Sequence, residues 1–169
     1  MPAELLRADV AVVGAGPAGI AAACRAAEAG RRVVLLDDGL APGGQIHRHL
    51  PGDRPPPKGR AWIERLWRSG ARVVTAASLF DAAGDDGGFR LRALKGGEAV
   101  LVGAKRLVIA TGARELFLPF PGWTLPGVVG AGAAQALVKN GADVSGRRAV
   151  VAGSGPLLLS AAASLAGAG

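Results

Sequence analysis

Short apolar runs that end at glycines alternate with alanine-rich stretches at the start of the chain. ADVAVV (8–13) and RRVVLLDD (31–38) are typical of buried parallel strands, because each contains an unbroken run of apolar residues. A helix is predicted between them, from about Pro17 to Ala29, with proline at its start and glycine after its end. Strand, helix and strand in this order indicate a βαβ unit.

The apolar pattern then predicts a third core strand and a set of antiparallel strands. A proline-rich loop over residues 39–60 leads to a short amphipathic helix, RAWIERLWRSG (60–70), and to the strand ARVVTA (71–76). FRLRAL (89–94) alternates apolar residues with arginine, which indicates a half-exposed antiparallel strand. The runs EAVLVG and RLVIAT, within 98–111, complete a small β-meander. We therefore predict an α/β fold with a Rossmann-like parallel sheet and an antiparallel β-meander.

The end of the chain repeats its beginning. The glycines and proline of VVGAGPAG recur in VVAGSGPL, where Gly153 and Gly155 take the places of the first two glycines. A proline-rich connector and a helix around 130–140 come before this repeat, and a new strand, RRAVVAG, is predicted at 147–153. The repeat predicts the start of a second Rossmann-like fold, with Gly153 and Gly155 as a second nucleotide site.

VVGAGPAG contains a G-x-G-x-x-G fingerprint made by Gly14, Gly16 and Gly19. In this pattern the first glycine permits a tight turn, the second lets a diphosphate approach the backbone, and the third lets the helix pack on the strand. The N–H groups at the start of the helix then face the phosphates. Asp37, at the end of the next strand, is the predicted acceptor for the ribose hydroxyls, with Asp38 as the alternative. The fingerprint alone does not separate FAD from NAD.

Two further stretches favour FAD. PGGQI (42–46) follows the second strand, and LVIATGARE (107–115) ends a strand with a Thr-Gly turn, so both present bare backbone to an extended cofactor. These motifs and the meander make the chain resemble the two-dinucleotide-binding-domain flavoproteins. PGGQIHR, ATGARELFLPFPGW and VVAGSGPLLL are most similar to the FAD-binding α subunits of opine oxidases, D-hydroxyproline dehydrogenases and hydrogen cyanide synthases.

The resemblance implies an FAD-dependent oxidoreductase that oxidises a C–N bond of an amino-acid or opine-like substrate. It implies partner subunits that carry another flavin or an iron–sulfur centre. It also divides the chain into an incomplete FAD domain without its C-terminal segment (1–115), a connector with a helix (116–146) and the beginning of a second domain (147–169), so we expect this chain alone to bind FAD weakly. Carried onto this sequence, the FAD contacts are Gly14, Gly16, Pro17, Ala18, Gly19, Asp37, Gly44, Gln45, Thr111 and Gly112, with the backbone near Leu79 as an adenine contact.

Two departures from the family pattern narrow the function. A glutathione-reductase-like enzyme has a redox cysteine pair after the second strand, whereas this chain has Gln45, Ile46 and His47 there, which argues against that kind of disulfide reductase. Leu158 stands in the place of the third glycine of the second fingerprint, so we expect NAD(P) binding there to be impaired. An NAD(P)H:acceptor reductase of the pyridine nucleotide-disulfide type and a non-catalytic subunit that relays electrons through FAD or an adenine nucleotide stay open as alternatives.

The charge and the cysteine content argue against several other classes of function. The net charge is +7, but the basic residues are scattered and tyrosine is absent, so no nucleic-acid partner is expected. The single cysteine, Cys24, cannot build a disulfide framework, and no metal site is expected. We find no secretory signal and no good candidate for a membrane span, and we expect a cytoplasmic location.

No catalytic residue can be assigned from the sequence. His47 and His49 lie in the proline-rich loop without a recognisable partner, so we give them no catalytic role. Arg114 follows the Thr-Gly turn and lies either near a cofactor phosphate or in solvent.

Overall fold

The computed structural model describes residues 5–169. The chain forms two compact units, and the second of them begins at Ala113. Each unit is described by itself below.

The first unit contains a six-stranded mixed sheet and two helices. Its elements are β1 (Leu5–Val13), α1 (Pro17–Glu28), β2 (Val33–Leu36), α2 (Pro57–Arg68), β3 (Arg72–Val74), β4 (Ala77–Asp85), β5 (Gly88–Lys95) and β6 (Glu98–Ile109). The strand order is β3-β2-β1-β6-β5-β4. β1 pairs in parallel with both β2 and β6, and β2 pairs in parallel with β3, whereas β4, β5 and β6 form an antiparallel meander. The predicted fold class is therefore confirmed.

Apolar side chains cover both faces of the parallel strands. On one face Val12 and Leu35 pack with Ile20 of α1 and with Ile63 and Leu66 of α2. The other face holds a second buried cluster that includes Leu6, Leu36, Leu91 and Val102. Burial of each such side chain stabilises the fold by about 1.5–3 kcal/mol. The unbroken apolar runs of β1 and β2 reflect this burial on two sides.

Several elements of the first unit differ from those predicted, among them β4, β6 and α2. β4 is absent from the prediction, because most of its side chains are exposed and it is held at the edge of the sheet by backbone pairing with β5. The two runs within 98–111 form one continuous strand, β6. α2 begins at Pro57 rather than at residue 60, since proline is tolerated in the first turn of a helix, where its missing N–H costs no hydrogen bond.

The second unit contains two helices, α3 (Ala131–Lys139) and α4 (Leu157–Ala166), and the helix predicted around 130–140 is confirmed. The amide of Gln135 on α3 donates to Ser160 Oγ on α4 at 2.9 Å. The strand predicted at 147–153 is wrong: this stretch is not a strand, and Val150 is 93% exposed. A strand needs a neighbouring backbone to satisfy its N–H and C=O groups, and the part of this unit that the structure describes offers none.

No helix in the described part of the chain has both the length and the apolar character that a bilayer span requires.

Asp9, in the middle of β1, connects this strand to β6 and to the residue just before β2. Its carboxylate accepts a hydrogen bond from the backbone N–H of Arg32 at 3.1 Å, just before β2, and pairs with Lys105 Nζ of β6 at 3.2 Å. The hydrogen bond from Arg32 and the pairing with Lys105 lower the pKa of Asp9 from 3.8 to about 2.

Replacement of Asp9 by asparagine is expected to destabilise the fold in a pH-dependent way. Because the pKa is lower in the folded state, the carboxylate stabilises the fold above about pH 4, and this contribution is lost as the pH falls toward 2. The melting temperature of Asp9→Asn is therefore below that of the wild type at pH 7, and the two converge between pH 4 and pH 2. Asp86→Asn, in the exposed turn after β4, is the control. A difference in melting temperature between Asp9→Asn and the wild type that stays constant with pH would contradict this account.

Candidate functional site

The turn between β1 and α1 is closely packed at two of its glycines and open at the third. Gly14 has a φ of +102°, and a side chain there would collide with the backbone of Ala110, whose carbonyl carbon would lie 2.7 Å from the added Cβ. A Cβ on Gly19 would overlap the carbonyl oxygen of Gly14. A Cβ on Gly16 would meet no atom within 4 Å. The turn therefore presents bare, accessible backbone at Gly16, as the approach of a diphosphate requires.

The first turn of α1 offers backbone donors to an anion. Gly16 caps the helix with φ −72° and ψ −179°, and its carbonyl accepts the first helical hydrogen bond from Ile20 at 2.9 Å. Pro17 has no N–H, while Ala18 and Gly19 bring theirs to the start of the helix, where the first N–H groups have no partner within the helix. The first turn contains no acidic side chain and no side-chain cap. These features fit a negatively charged group at this end of the helix.

Asp37 ties the glycine turn to the loop after β2. One carboxylate oxygen accepts a hydrogen bond from the backbone N–H of Ala15, and the other accepts from the N–H of Gly39 at 2.8 Å. The sequence pattern identifies Asp37 as an acid at a strand end but does not indicate that backbone donors engage both of its oxygens.

The two neighbouring acids differ in their surroundings. Asp37 is half-buried, whereas Asp38, which follows it directly at the end of β2, is exposed. Each oxygen of Asp37 keeps a further acceptor position beyond the one that its backbone donor uses. Both acids therefore remain candidates for the ribose hydroxyls, and Asp37 also fixes the position of the turn.

The loop that contains Gly43 and Gly44 lies directly on the glycine turn. The N–H of Gly43 donates to the carbonyl of Ala15 at 2.7 Å, and a Cβ on Gly44 would lie 2.8 Å from the Cα of Gly16. Both glycines have positive φ angles. Gln45 follows with an exposed side chain, whose carbonyl oxygen accepts a hydrogen bond from Arg48 Nη2 at 2.9 Å.

Of the remaining predicted contacts, Thr111 and Gly112 lie beside the glycine turn, whereas Leu79 is connected to it only through β4. The backbone nitrogen of Thr111 would be 3.0 Å from a Cβ on Gly14, so the end of β6 borders the turn, and Gly112 follows with a φ of +72°. Leu79 lies on β4 and is partly buried against the core. β4 is joined to the turn through Asp37, whose carbonyl accepts from the N–H of Ala77 at 2.9 Å.

The structure thus brings the three predicted backbone segments together at one edge of the sheet. The residues that join them, Ala15 and Ala110, were missed by the sequence reasoning. Ala15 and Ala110 join the segments through backbone atoms, so the identity of their side chains does not indicate this role. The resulting cradle has bare glycine backbone, the N–H groups of a helix start and an adjacent carboxylate pair, which fits the diphosphate and ribose of a dinucleotide.

The second fingerprint has a different geometry. Gly153 and Gly155 have φ angles of +140° and +110°. The side chain of Leu158 lies beside Gly153, with its methyl carbons 3.5 and 3.6 Å from the position of an added Cβ. In the first fingerprint the corresponding residue is Gly19, whose backbone lies directly against Gly14. A leucine at this position prevents the same close approach of helix and turn.

The remaining candidate residues are His47, His49, Cys24 and Arg114. The ring of His47 packs against Gly59 of α2, and His49 Nδ1 lies 3.0 Å from the carbonyl oxygen of His47. Cys24 is buried in α1, and this burial raises the pKa of its thiol. Arg114 belongs to the second unit and is exposed. Among the described residues, no group of three or more metal-ligating side chains forms a metal site.

Comparison with known proteins identifies the family of this chain. Residues 8–169 match the family described as "Pyridine nucleotide-disulphide oxidoreductase". An opine oxidase subunit of Rhizobium meliloti is 39% identical over 95% of this chain and 33% of its own length. The hydrogen cyanide synthase subunit HcnB of Pseudomonas protegens is 35% identical over 87% of this chain and 33% of its own length. The chain therefore spans about a third of the length of these relatives.

The solved structures agree with this result. L-Proline dehydrogenase from P. horikoshii superposes with a TM-score of 0.67 and 25% identity, over 82% of this chain and 30% of that one. The likeness therefore extends over more than four-fifths of the chain. The chain belongs to the pyridine nucleotide-disulphide oxidoreductase family, whose members share this FAD/NAD-binding Rossmann-like fold.

Proposed function

We propose that this chain is the FAD-binding part of a dehydrogenase subunit that oxidises the C–N bond of an amino-acid or opine-like substrate. The observation that carries the proposal is the cradle at the carboxyl edge of the parallel strands. There the glycine turn, the loop at Gly43 and the end of β6 present bare backbone side by side. The names of two relatives, an opine oxidase and an L-proline dehydrogenase, support the substrate class.

Different residues of the cradle contact different parts of the cofactor in this proposal. The N–H groups of Gly16, Ala18 and Gly19, next to Pro17, hold the diphosphate, and Asp37 with Asp38 receives the ribose hydroxyls. The backbone near Leu79 contacts the adenine. The flavin half lies along the segments Gly44–Gln45 and Thr111–Gly112.

When bound, FAD supplies a two-electron acceptor for the oxidation, and the protein supplies orientation and electrostatics. The backbone donors at α1 are fixed before the cofactor arrives, so little ordering of this part of the chain opposes binding.

The substrate pocket and the partner subunits belong to the whole protein in this proposal. Two of the relatives are named as subunits of larger enzymes. We propose partner subunits that carry another flavin or an iron–sulfur centre, and a cytoplasmic location. The domain division expected from the sequence, at residues 115 and 146, is also part of the proposal. Because Leu158 replaces the third glycine, we propose that NAD(P) binding at Gly153 and Gly155 is impaired.

A second candidate is a subunit in which FAD or an adenine nucleotide relays electrons without contact with the substrate. Asp37, whose two oxygens accept from backbone donors, would serve binding in this candidate as in the first.

Titration of the purified chain with FAD, ADP and NAD⁺ tests the cofactor assignment. We expect FAD to bind at one site, more tightly than ADP because the segments around Gly44 and Thr111 contact its flavin half. Isothermal titration calorimetry gives the affinities, and anaerobic bleaching of the flavin by an imino-acid donor, with and without partner chains, separates catalysis from relay. Equal affinity for FAD and ADP would contradict the placement of the flavin half, and preferential binding of NAD⁺ would overturn the proposal.

Gly16→Val is expected to block the cofactor without damage to the fold. The added side chain enters open space at ordinary backbone angles, so the melting temperature stays near that of the wild type. FAD affinity falls at least about tenfold, because the side chain occupies the path of the diphosphate. Gly103→Val, at another glycine with open space, is the matched control and leaves FAD affinity unchanged. Unchanged FAD binding by Gly16→Val would show that the diphosphate lies elsewhere.

Asp37→Asn is expected to weaken both the fold and FAD binding. The asparagine amide would face a backbone N–H, and an unsatisfied donor in this half-buried position costs about 1–3 kcal/mol. Asp38→Asn, at an exposed position, lowers the melting temperature less than Asp37→Asn does and weakens FAD binding through the ribose. Thermal melts and FAD titrations of the two variants provide the comparison. A stable Asp37→Asn protein with full FAD affinity would show that Asp37 is not needed to connect the glycine turn to the loop after β2.

A further inference from the structure

A basic cavity lies in the first unit at the opposite edge of the sheet from the glycine turn. It has a volume of about 380 Å³. We name it the amino-edge cavity, because it borders the amino-terminal half of β1, together with the middle of β6. Its charged lining consists of Arg7, Arg32, Asp85, Arg90 and Lys105, with Gly87, Gly88, Phe89 and Gly103 among the other lining residues.

The strand register explains why the cavity is open. Arg7 of β1 pairs with Gly103 of β6, and Gly103 pairs in turn with Arg90 of β5. Residues paired in this way share one face of the sheet, so the two arginines flank a position that has no side chain. Neighbouring strands are about 4.8 Å apart, which places the two arginine Cα atoms roughly 10 Å from one another. A Cβ on Gly103 would meet no atom within 4 Å.

The cavity has more positive than negative charge. Asp85 pairs with Arg90 at 3.2 Å, and Asp9 pairs with both Lys105 and Arg32 at 3.2 and 3.5 Å. Of the four cations that line the cavity, Arg32, Arg90 and Lys105 pair with these two carboxylates, so cations outnumber carboxylates among the described residues here. The lowered pKa of Asp9 is consistent with this excess of positive charge.

We propose that the amino-edge cavity binds the carboxylates of an acidic segment on a partner protein. The side chains of Arg32, Arg90 and Lys105 are 68%, 73% and 74% exposed. Single ion pairs at such exposed positions contribute little, and salt screens them over about 8 Å. A small anion therefore gains little here, whereas several carboxylates on one segment engage several cations at once.

The arrangement of the cations favours a short protein segment over nucleic acid. They surround one cavity, with a glycine at its centre, instead of forming a stripe along which a phosphate backbone could run. The inference goes beyond the proposed function, since the cavity lies away from the nucleotide cradle and its binding requires no cofactor.

Fluorescence anisotropy with a fluorescein-labelled hexaglutamate peptide tests the proposal. We expect the wild-type chain to bind the peptide at low salt, and the double variant Arg7→Ser with Arg90→Ser to bind at least about tenfold more weakly. The control, Arg54→Ser with Lys58→Ser, removes the same charge from exposed positions outside the cavity and changes the affinity by less than about threefold. Gly103→Val fills the gap between the arginines without a change in charge and also weakens binding.

Three results would overturn the proposal. The first is an equal loss of affinity in the control variant, which would show attraction to the net charge alone. The second is undiminished binding by Gly103→Val. The third is displacement of the peptide by inorganic phosphate, or by a single-stranded DNA hexamer, at a concentration as low as that of unlabelled peptide. Circular dichroism confirms that each variant is folded before its affinity is measured.

Discussion

The main chain of Ala15 holds together the loops at the carboxyl edge of the parallel strands. Its N–H donates to Asp37, and its carbonyl accepts from the N–H of Gly43. Ala15 is fully buried, so either of these polar groups without a partner would cost free energy comparable to a lost hydrogen bond. The segments it joins are loops, which have no ladder of their own to fix them.

The sheet places these loops side by side. β1 lies between β2 and β6, and all three strands run in parallel, so their carboxyl ends share one edge. The glycines then permit contact between the loops themselves: Gly14 lies against Ala110, and Gly44 lies against Gly16. Rigid backbone donors in a preformed turn are suited to a ligand with a fixed charge, because binding costs the protein little conformational entropy.

The parts predicted correctly are those that local sequence pattern determines. β1, α1 and β2 follow from unbroken apolar runs and from the proline and glycines between them, and the fingerprint follows from spacing. β4 was missed because its exposed side chains carry no apolar signal, and its strand conformation depends on the neighbouring β5. The strand predicted at 147–153 had the right pattern but no backbone partner in the described part of its unit. Likewise, the role of Ala15 depends on backbone hydrogen bonds, which no residue type reveals.

We propose that three separate backbone segments line a single extended ligand. Amide chemical shifts of the ¹⁵N-labelled chain during titration with FAD measure this directly. The account predicts that the amides of Gly16, Gly44 and Thr111 shift together and give one dissociation constant, while the amide of Arg90, at the far edge of the sheet, does not move. Shifts confined to one of the three segments, or different dissociation constants for them, would contradict it.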